Sequence, residues 1–280
     1  MASDPESLET ELETARLAAE AAAGVARAAL GSVRADDANA KGRSDFVTEV
    51  DLAAQDAALS VIADRHPDHR VLGEEMSREE RAILVAESGP LWVVDPLDGT
   101  TNFLHGHPYF CASVGLVVDG REVVGAIDAP MFGERWWAAA GTGAWFQAGD
   151  GAPSPATVAS PDCIDRALIG TGFPFKALHF LAEYQGQFER VLQATAGIRR
   201  CGAAALDLCY LASGRIDGFW EDVLNPWDIA AGAIIVREAG GIVERIDGSP
   251  LSLHSGSVLG AASAELAERL RLLLIERNPD

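Results

Sequence analysis

Two aspartates follow a short apolar run in the stretch LWVVDPLDGTTNF, Leu91 to Phe103. The apolar residues before Asp95 predict a buried strand, which would deliver the Asp95 carboxylate to the edge of a sheet. Pro96 restricts the next turn, so Asp95 and Asp98 can face one point. Converging hard oxygen donors are the ligands that Mg²⁺ selects, although a solvated turn with two aspartates would give the same pattern.

The residues after Asp98 are suited to binding a phosphate. Gly99 permits close approach of the backbone, and Thr100, Thr101 and Asn102 supply hydroxyls and amides at a turn or helix start. Amides exposed at such a start bind phosphate. A metal site beside a phosphate site predicts transfer of a phosphoryl group to water.

The spacing of the two aspartates argues against a covalent mechanism. Phosphatases of the haloacid-dehalogenase type carry D-x-D-G-T after a strand and use the first Asp as nucleophile. Here the residue two positions before Asp98 is Pro96, and the pattern is D-x-x-D-G-T. We therefore expect no aspartyl-phosphate intermediate.

The charge of the chain limits the classes of partner. Its 280 residues include 42 acidic and 22 basic side chains, which give a formal net charge of −20. A nucleic-acid groove or an anionic membrane surface needs a basic footprint, so neither partner is expected. An anionic small substrate would need a local positive charge, such as a metal ion.

Other sequence features predict a cytoplasmic protein. The four cysteines include no C-x-x-C pair, which favours reduced thiols. The N-terminal MASDPESLETELE is acidic and has no apolar h-region. No apolar run approaches the roughly 18 residues of a membrane-spanning helix.

The pattern along the chain predicts a strand-rich first half and an alternating second half within one domain, 1–280. A Gly-, Pro- and Ala-rich segment, Ala148 to Ser160, predicts a surface loop that separates subdomains of about 1–150 and 151–280. Predicted helices lie at 6–30, 52–65, about 178–195, after Gly202, 228–239 and 263–276. Predicted strands lie at 71–75, 91–95, on both sides of Asp119-Gly120, within 134–147, in ALIGTGFPF, at 216–221, in GIVERI and in SVLGA.

Several motifs together resemble the inositol monophosphatase family of Mg²⁺-dependent, lithium-sensitive phosphatases. They occur in the family's order and spacing and cover nearly the whole chain. They are Gly73-Glu74-Glu75, Asp95 to Phe103, Thr171 to Phe175, Arg199 to Gly241 and Pro226-Trp227-Asp228. The resemblance implies an α/β (α+β) fold, a layered αβαβα sandwich of the sugar-phosphatase type, and a homodimer.

The resemblance also implies a ligand set for two to three Mg²⁺ ions. Glu74, Asp95 and the backbone carbonyl of Leu97 would bind the first ion, and a third, weaker ion would share Glu74. Asp95, Asp98 and Asp228 would bind the second. Taken alone, Asp228 is better explained as a helix cap.

The implied reaction uses a metal-activated water. Glu74 and Thr100 would orient and deprotonate this water, and Asp51 in DFVTEVD would hold the Thr100 hydroxyl. The phosphate would contact the metals and the amides of Gly99 and Thr100, with Glu74, Leu97 and Asp98 beside it. Lys41 corresponds to a family lysine near the metal-site loop, but a lone surface lysine would look the same.

The family pattern points to a polyol as leaving group. Backbone groups of Gly202, Ala203 and Ala204 would meet its hydroxyls, and Glu221 would accept hydrogen bonds from them. This favours myo-inositol 1-phosphate, although Ala203 stands where many members carry Ser or Thr. Without the family, Glu221 would be interpreted as an exposed loop acid.

Other functions remain open at this stage. Histidinol phosphate or another small sugar or polyol phosphate is the alternative substrate. Substrates with more phosphate charge are not favoured, because Arg199-Arg200 is the only close basic pair near the motifs. Some family members act instead as regulatory binding partners in transcription complexes.

Overall fold

The computed structural model describes residues 8–32, 39–42, 45–47, 49–74, 76, 84, 87–160, 163–175, 177–252 and 256–275. Within these ranges the chain forms seven α-helices and two main β-sheets, with a separate two-stranded ribbon, β1 (Asn39–Gly42) and β2 (Asp45–Val47). No helix among the described residues is long and apolar enough to cross a membrane. The Lys41 side chain lies outside the described part.

The first sheet belongs to the first half of the chain and has the order β3-β4-β5-β6-β7-β8-β9. Only the β3–β4 pair is parallel, and the other neighbours are antiparallel. The strands from β5 to β9 follow one another through short Gly-containing turns, as expected for hairpins, whereas residues 99–110 connect β4 to β5. Its strands are β3 (Arg70–Gly73), β4 (Pro90–Asp98), β5 (Cys111–Val118), β6 (Arg121–Ala129), β7 (Glu134–Ala139), β8 (Ala144–Ala148) and β9 (Ser154–Ala156).

The second sheet is mixed and has the order β11-β10-β12-β14-β13. β10 is parallel to both of its neighbours, and β14 is antiparallel to β12 and β13. Its strands are β10 (Leu168–Thr171), β11 (Gly197–Arg199), β12 (Gly218–Asp222), β13 (Ile242–Glu244) and β14 (Ser257–Ala261).

The helices alternate with the sheets in five layers, which confirms the predicted αβαβα sandwich. The first two helices cover one face of the first sheet, the fifth and sixth lie between the sheets, and the fourth and seventh pack together by the second sheet. They are α1 (Glu9–Ala29), α2 (Glu49–Arg65), α3 (Thr100–Leu104), α4 (Leu181–Ala194), α5 (Ala204–Ala212), α6 (Pro226–Glu238) and α7 (Ala264–Ile275).

Helix α6 lies in direct contact with the first sheet because β6 has a glycine beneath it. A Cβ on Gly125 would lie 2.5 Å from the Ala231 backbone oxygen, so any side chain there would push the helix away. The helix is buried along nearly its whole length. This packing fixes the position of its first turn, which carries Asp228.

Some predicted boundaries are wrong. Helix α2 begins at Glu49 rather than 52, and α6 begins at Pro226 rather than Asp228, with Asn225 as its N-cap. Before α4 the chain forms a 3₁₀ turn, Leu178–Phe180. Strand β11 was not predicted, because three residues carry too weak a pattern to identify a strand.

The predicted loop between residues 148 and 160 contains strand β9, which pairs with β8 as the last strand of the first sheet. Pro155 is tolerated there because an edge strand leaves one row of amides without a ladder partner. Since β9 follows residue 150, the first sheet extends past the predicted subdomain boundary. The division into subdomains stays a prediction.

Candidate active site

A cavity of about 220 Å³ opens where the end of β4 and helix α3 meet the starts of α5 and α6. Its two ends differ in chemistry. The acidic end is lined by Glu74, Asp95, Asp98 and Asp228. The aromatic end is lined by Phe173, Phe175, Arg200, Gly202, Glu221 and Val223.

The last residues of β4 deliver two of the acids. Asp95 pairs with Ser113 and Asp98 with Cys111, and the register shifts between them because the chain bulges around Pro96. The backbone amide of Leu97 donates to Asp95 Oδ1 over 3.0 Å, and the amide of Ala205 in α5 donates to Asp98 Oδ2 over 2.7 Å. The carboxylates are thus oriented by backbone donors.

Helix α3 begins at Thr100, and its N-cap is Gly99, with φ 96°. A Cβ on Gly99 would lie 3.0 Å from the Tyr109 carbonyl oxygen, so both the conformation and the space require glycine. The Thr100 hydroxyl lies 3.2 Å from Asp51 Oδ1 and 3.1 Å from the Leu97 carbonyl oxygen. The predicted contact between Thr100 and Asp51 is therefore present, and Asp51 lies in the first turn of α2.

Asp228 lines the cavity and also caps a helix. It occupies the third position of α6, where its Oδ2 accepts a 2.6 Å hydrogen bond from the Asn225 amide in a capping box. The capping interpretation of Asp228 is thus correct. It does not compete with a ligand role, because a carboxylate has a second oxygen.

The acidic end is electrostatically strained. Removal from water, with the charges of Glu74, Asp98 and Asp228, raises the pKa of Asp95 well above its usual value. Removal from water and the charge of Asp228 do the same for the pKa of Asp98. Like charges this close hold protons unless a cation neutralises them.

The donor set fits a hard divalent cation. Carboxylates together with the Leu97 carbonyl are the oxygen ligands that Mg²⁺ prefers, and nothing in the set is a soft donor. Among the described residues, no three His, Cys, Asp or Glu side chains already stand in the geometry that would hold a metal ion. The chemistry of the ligands therefore agrees with the prediction, and their exact assignment stays a prediction.

At the aromatic end, Arg200 packs against two neighbouring aromatic rings. Its guanidinium carbon lies 5.0 Å from the centroid of Phe173 and 4.8 Å from that of Phe175. Its Nε is buried and has no hydrogen-bond partner among the described residues. A Cβ on Gly202, where φ is 97°, would lie 2.4 Å from Arg200 Nη1, so glycine leaves the guanidinium its space.

Glu221 is not an exposed loop acid. It lies on β12 opposite Val258, half-buried, and its carboxyl group packs so closely on Gly172 that a Cβ there would lie 1.9 Å away. Removal from water and the charges of Asp228 and Asp207 raise the pKa of Glu221 well above its usual value, while Arg200 opposes the rise. The side chain is thus placed to form hydrogen bonds in the cavity.

The predicted Gly202–Ala204 segment reaches the cavity in part. Gly202 and Ala204 line it, whereas the Ala203 side chain is 1% exposed and lies in the core. Asn102 fixes this segment, since its amide nitrogen donates to the Cys201 carbonyl over 2.9 Å and to the Tyr109 carbonyl over 2.7 Å. One side chain therefore connects the acidic and aromatic ends.

Comparison with known proteins agrees with this geometry. A sequence model of the inositol monophosphatase family matches residues 7–276. The chain belongs to the inositol monophosphatase family.

Among its relatives, the inositol-1-monophosphatase of Synechocystis sp. is 40% identical over 271 residues, 95% of this chain and 90% of that protein. The Nus factor SuhB of Pseudomonas aeruginosa is 41% identical over 223 residues, 79% of this chain and 80% of that protein. The solved structure of inositol monophosphatase from Anabaena (Nostoc) sp. matches with a TM-score of 0.83 and 33% identity, covering 98% of both chains. Membership in the inositol monophosphatase family supports a phosphatase.

Sequence reasoning missed several residues that shape this inositol monophosphatase family site. Arg200 was visible only as part of a basic pair, and Phe173 and Phe175 only as part of a family motif. Nothing in the sequence shows that the two rings contact the arginine, because that contact joins segments 25 or more residues apart in the sequence. Val223 gave no signal at all.

Proposed function

We propose that this protein is a Mg²⁺-dependent phosphomonoesterase that hydrolyses myo-inositol monophosphate to inositol and phosphate. The observation that carries the proposal is the convergence of Glu74, Asp95, Asp98 and Asp228 with the Thr100 hydroxyl in one cavity. The relative named inositol-1-monophosphatase supports the substrate. We further propose a cytoplasmic homodimer, as the family resemblance implies.

The carboxylates of the acidic end and the Leu97 carbonyl would hold two to three Mg²⁺ ions, with Asp95 shared between the first two. Bound there, Mg²⁺ lowers the pKa of water and neutralises the phosphate. Millimolar lithium is expected to inhibit. The raised pKa values of Asp95 and Asp98 support this assignment, because a bound cation would favour the ionised carboxylates that burial and the neighbouring charges oppose.

Thr100 is suited to orient the attacking water. Its hydroxyl has one hydrogen, which it can donate to Asp51 or to the Leu97 carbonyl, since both are acceptors. Its lone pairs are then left to accept a hydrogen bond from the water. Glu74 would take the proton that the water loses on attack.

The rest of the cavity would bind the substrate's two parts. The amides of Gly99 and Thr100 stand at the start of α3 and would receive the phosphate oxygens. The backbone at Gly202–Ala204 and the carboxyl group of Glu221 would hydrogen-bond the inositol hydroxyls. Histidinol phosphate, or another small sugar or polyol phosphate, is the alternative substrate for the same machinery.

The test is phosphate release from myo-inositol 1-phosphate, histidinol phosphate and fructose 1,6-bisphosphate, each with and without Mg²⁺. Asp95→Asn should lower kcat by at least about 1000-fold on the preferred ester, because a bridging carboxylate is removed. Asp150→Asn, the same change at an exposed turn, is the matched control and should leave kcat unaltered. Release without Mg²⁺, or full activity of Asp95→Asn, would contradict the proposal.

A second candidate function rests on the relatives named Nus factor SuhB. In that case the fold would serve as a regulatory binding partner in a transcription complex. Asp95→Asn separates the two functions, because it should remove turnover without altering a binding surface elsewhere. Retained binding of this variant to purified transcription complexes, measured by sedimentation, would support a binding role beside or instead of catalysis.

A further inference from the structure

Val223 has a backbone conformation that its residue type disfavours. Its φ is 63°, in the left-handed region, where a β-branched side chain crowds the backbone. Among the described residues only Asp119 shares a positive φ without being glycine. Val223 lines the cavity, between Glu221 at the end of β12 and Asp228 in the first turn of α6.

The conformation is imposed from both sides of Val223. Before it, Asp222 is paired with Ser257 in the sheet; after it, the Leu224 amide donates to the Gly256 carbonyl over 2.8 Å. Asn225 then caps α6. The chain must turn sharply here so that β12 and α6 can both present an acid to one cavity.

Val223 keeps an exposed apolar surface in spite of this strain. More than half of the residue is buried, but 38% of its surface stays in water. Asp119 differs, because aspartate tolerates a left-handed turn and its Oδ1 accepts a 3.0 Å hydrogen bond from the Gly89 amide. A strained residue that leaves apolar surface exposed in a binding cavity points to a contact with ligand.

Two further apolar side chains are exposed at the same end. Phe173 is 39% and Phe175 42% exposed, and both line the cavity with Val223. An alcohol that contacts the protein only through its hydroxyl groups would leave these three side chains in water. A ring alcohol, by contrast, has a carbon–hydrogen face that can cover them while its hydroxyls reach Glu221.

We propose that Val223 is a specificity-determining residue, which with Phe173 and Phe175 contacts the carbon–hydrogen face of the alcohol and selects ring esters over open-chain esters. This inference rests on the proposed function and deepens it. According to this inference, the protein selects its substrate by the ring shape of the alcohol rather than by the number of its hydroxyl groups. The reaction itself needs no side chain at position 223.

The experiment compares kcat/KM for myo-inositol 1-phosphate with kcat/KM for glycerol 2-phosphate, an open-chain ester. Val223→Gly should lower the ratio of the first kcat/KM to the second about tenfold. The change should come from a lower kcat/KM for the ring ester, because an apolar contact with the ring is lost. The same change should raise the melting temperature by about 2–4 °C, since glycine adopts this φ without strain. Val223→Ala should lower the ratio without that rise, because alanine keeps a Cβ.

Asp119→Gly is the matched control, since it changes the other positive-φ residue at a hairpin turn away from the cavity. Its ratio of kcat/KM values should equal that of the unaltered protein. An unchanged ratio in both Val223 variants would overturn the inference while leaving the proposed function in place. No release from either ester by the unaltered protein would overturn both.

Discussion

The acidic and aromatic ends of the cavity are built in different ways. Two of the four acids of the acidic end come from one continuous stretch at the end of β4 and are held by backbone amides. The aromatic end comes from separate loops of the second half, and its arginine is held by two rings. Catalytic chemistry and substrate choice therefore depend on different segments, and each can be perturbed alone.

After Asp95, the largest effect is expected at Thr100 in the acidic end. Thr100→Val keeps the shape of the side chain but removes the hydroxyl that contacts Asp51 and Leu97, so kcat should fall about 1000-fold. KM and the melting temperature should change little. Steady-state kinetics and thermal unfolding would measure both.

Thr101→Val is the matched control for this prediction. Thr101 is the next residue of α3 but is exposed, and kcat should stay within about twofold of the unaltered protein. Equal losses in the two variants would show that α3 itself, rather than the Thr100 hydroxyl, was damaged.

A smaller effect, on stability, is expected beneath the aromatic end. Burial raises the pKa of Asp207 to about 7, although its carboxyl group accepts a 2.7 Å hydrogen bond from the Tyr109 hydroxyl. Between about pH 4 and pH 7 the folded state binds the proton more tightly than the unfolded state does. The contribution of Asp207 to the free energy of unfolding is therefore largest at low pH and is lost as the pH rises through about 7.

Asp207→Asn should remove that dependence, because asparagine accepts the same hydrogen bond without ionising. Urea unfolding of both proteins at pH 5 and pH 8 measures it. Between pH 5 and pH 8 the difference between their free energies of unfolding should shift in favour of the variant by about 3 kcal/mol, because the folded pKa is about 7. No shift between the two pH values would show that Asp207 is already ionised in the folded protein at pH 5.

The smallest effect is expected at Arg200. Arg200→Met keeps an unbranched side chain against Phe173 and Phe175 but removes the positive charge from the cavity, so KM for an anionic ester should rise about tenfold with kcat nearly unchanged. Arg199→Met, the exposed neighbour, is the control. Equal KM values for the two variants would leave the aromatic end without an electrostatic role.

The acidic end was largely predictable from sequence. Asp95, Asp98 and Thr100 are close along the chain, so their proximity follows from a strand end and a turn. Glu74 and Asp228 required the family resemblance, since a single acid beside a glycine or at a helix start has common structural explanations. The order of most helices and strands also followed from apolar patterns, although short strands such as β9 and β11 were missed and helix starts were wrong by a few residues.

The aromatic end was not predictable for a physical reason. Arg200 is placed by contacts with a distant loop, which no local pattern encodes. Val223 contradicts its own propensity, because valine favours extended backbone. The conformation comes from the sheet on one side and a capped helix on the other.

The double use of Asp228 has a consequence for how the protein responds to ions. One carboxylate oxygen holds the first turn of α6, and the same side chain lines the acidic end. Ionisation of this group serves both tasks, so thermodynamic reciprocity applies between them. A change that stabilises the first turn of α6 should raise the affinity of the site for a cation. Cation binding should in turn stabilise that turn by the same free energy, which would be measured as slower amide hydrogen exchange.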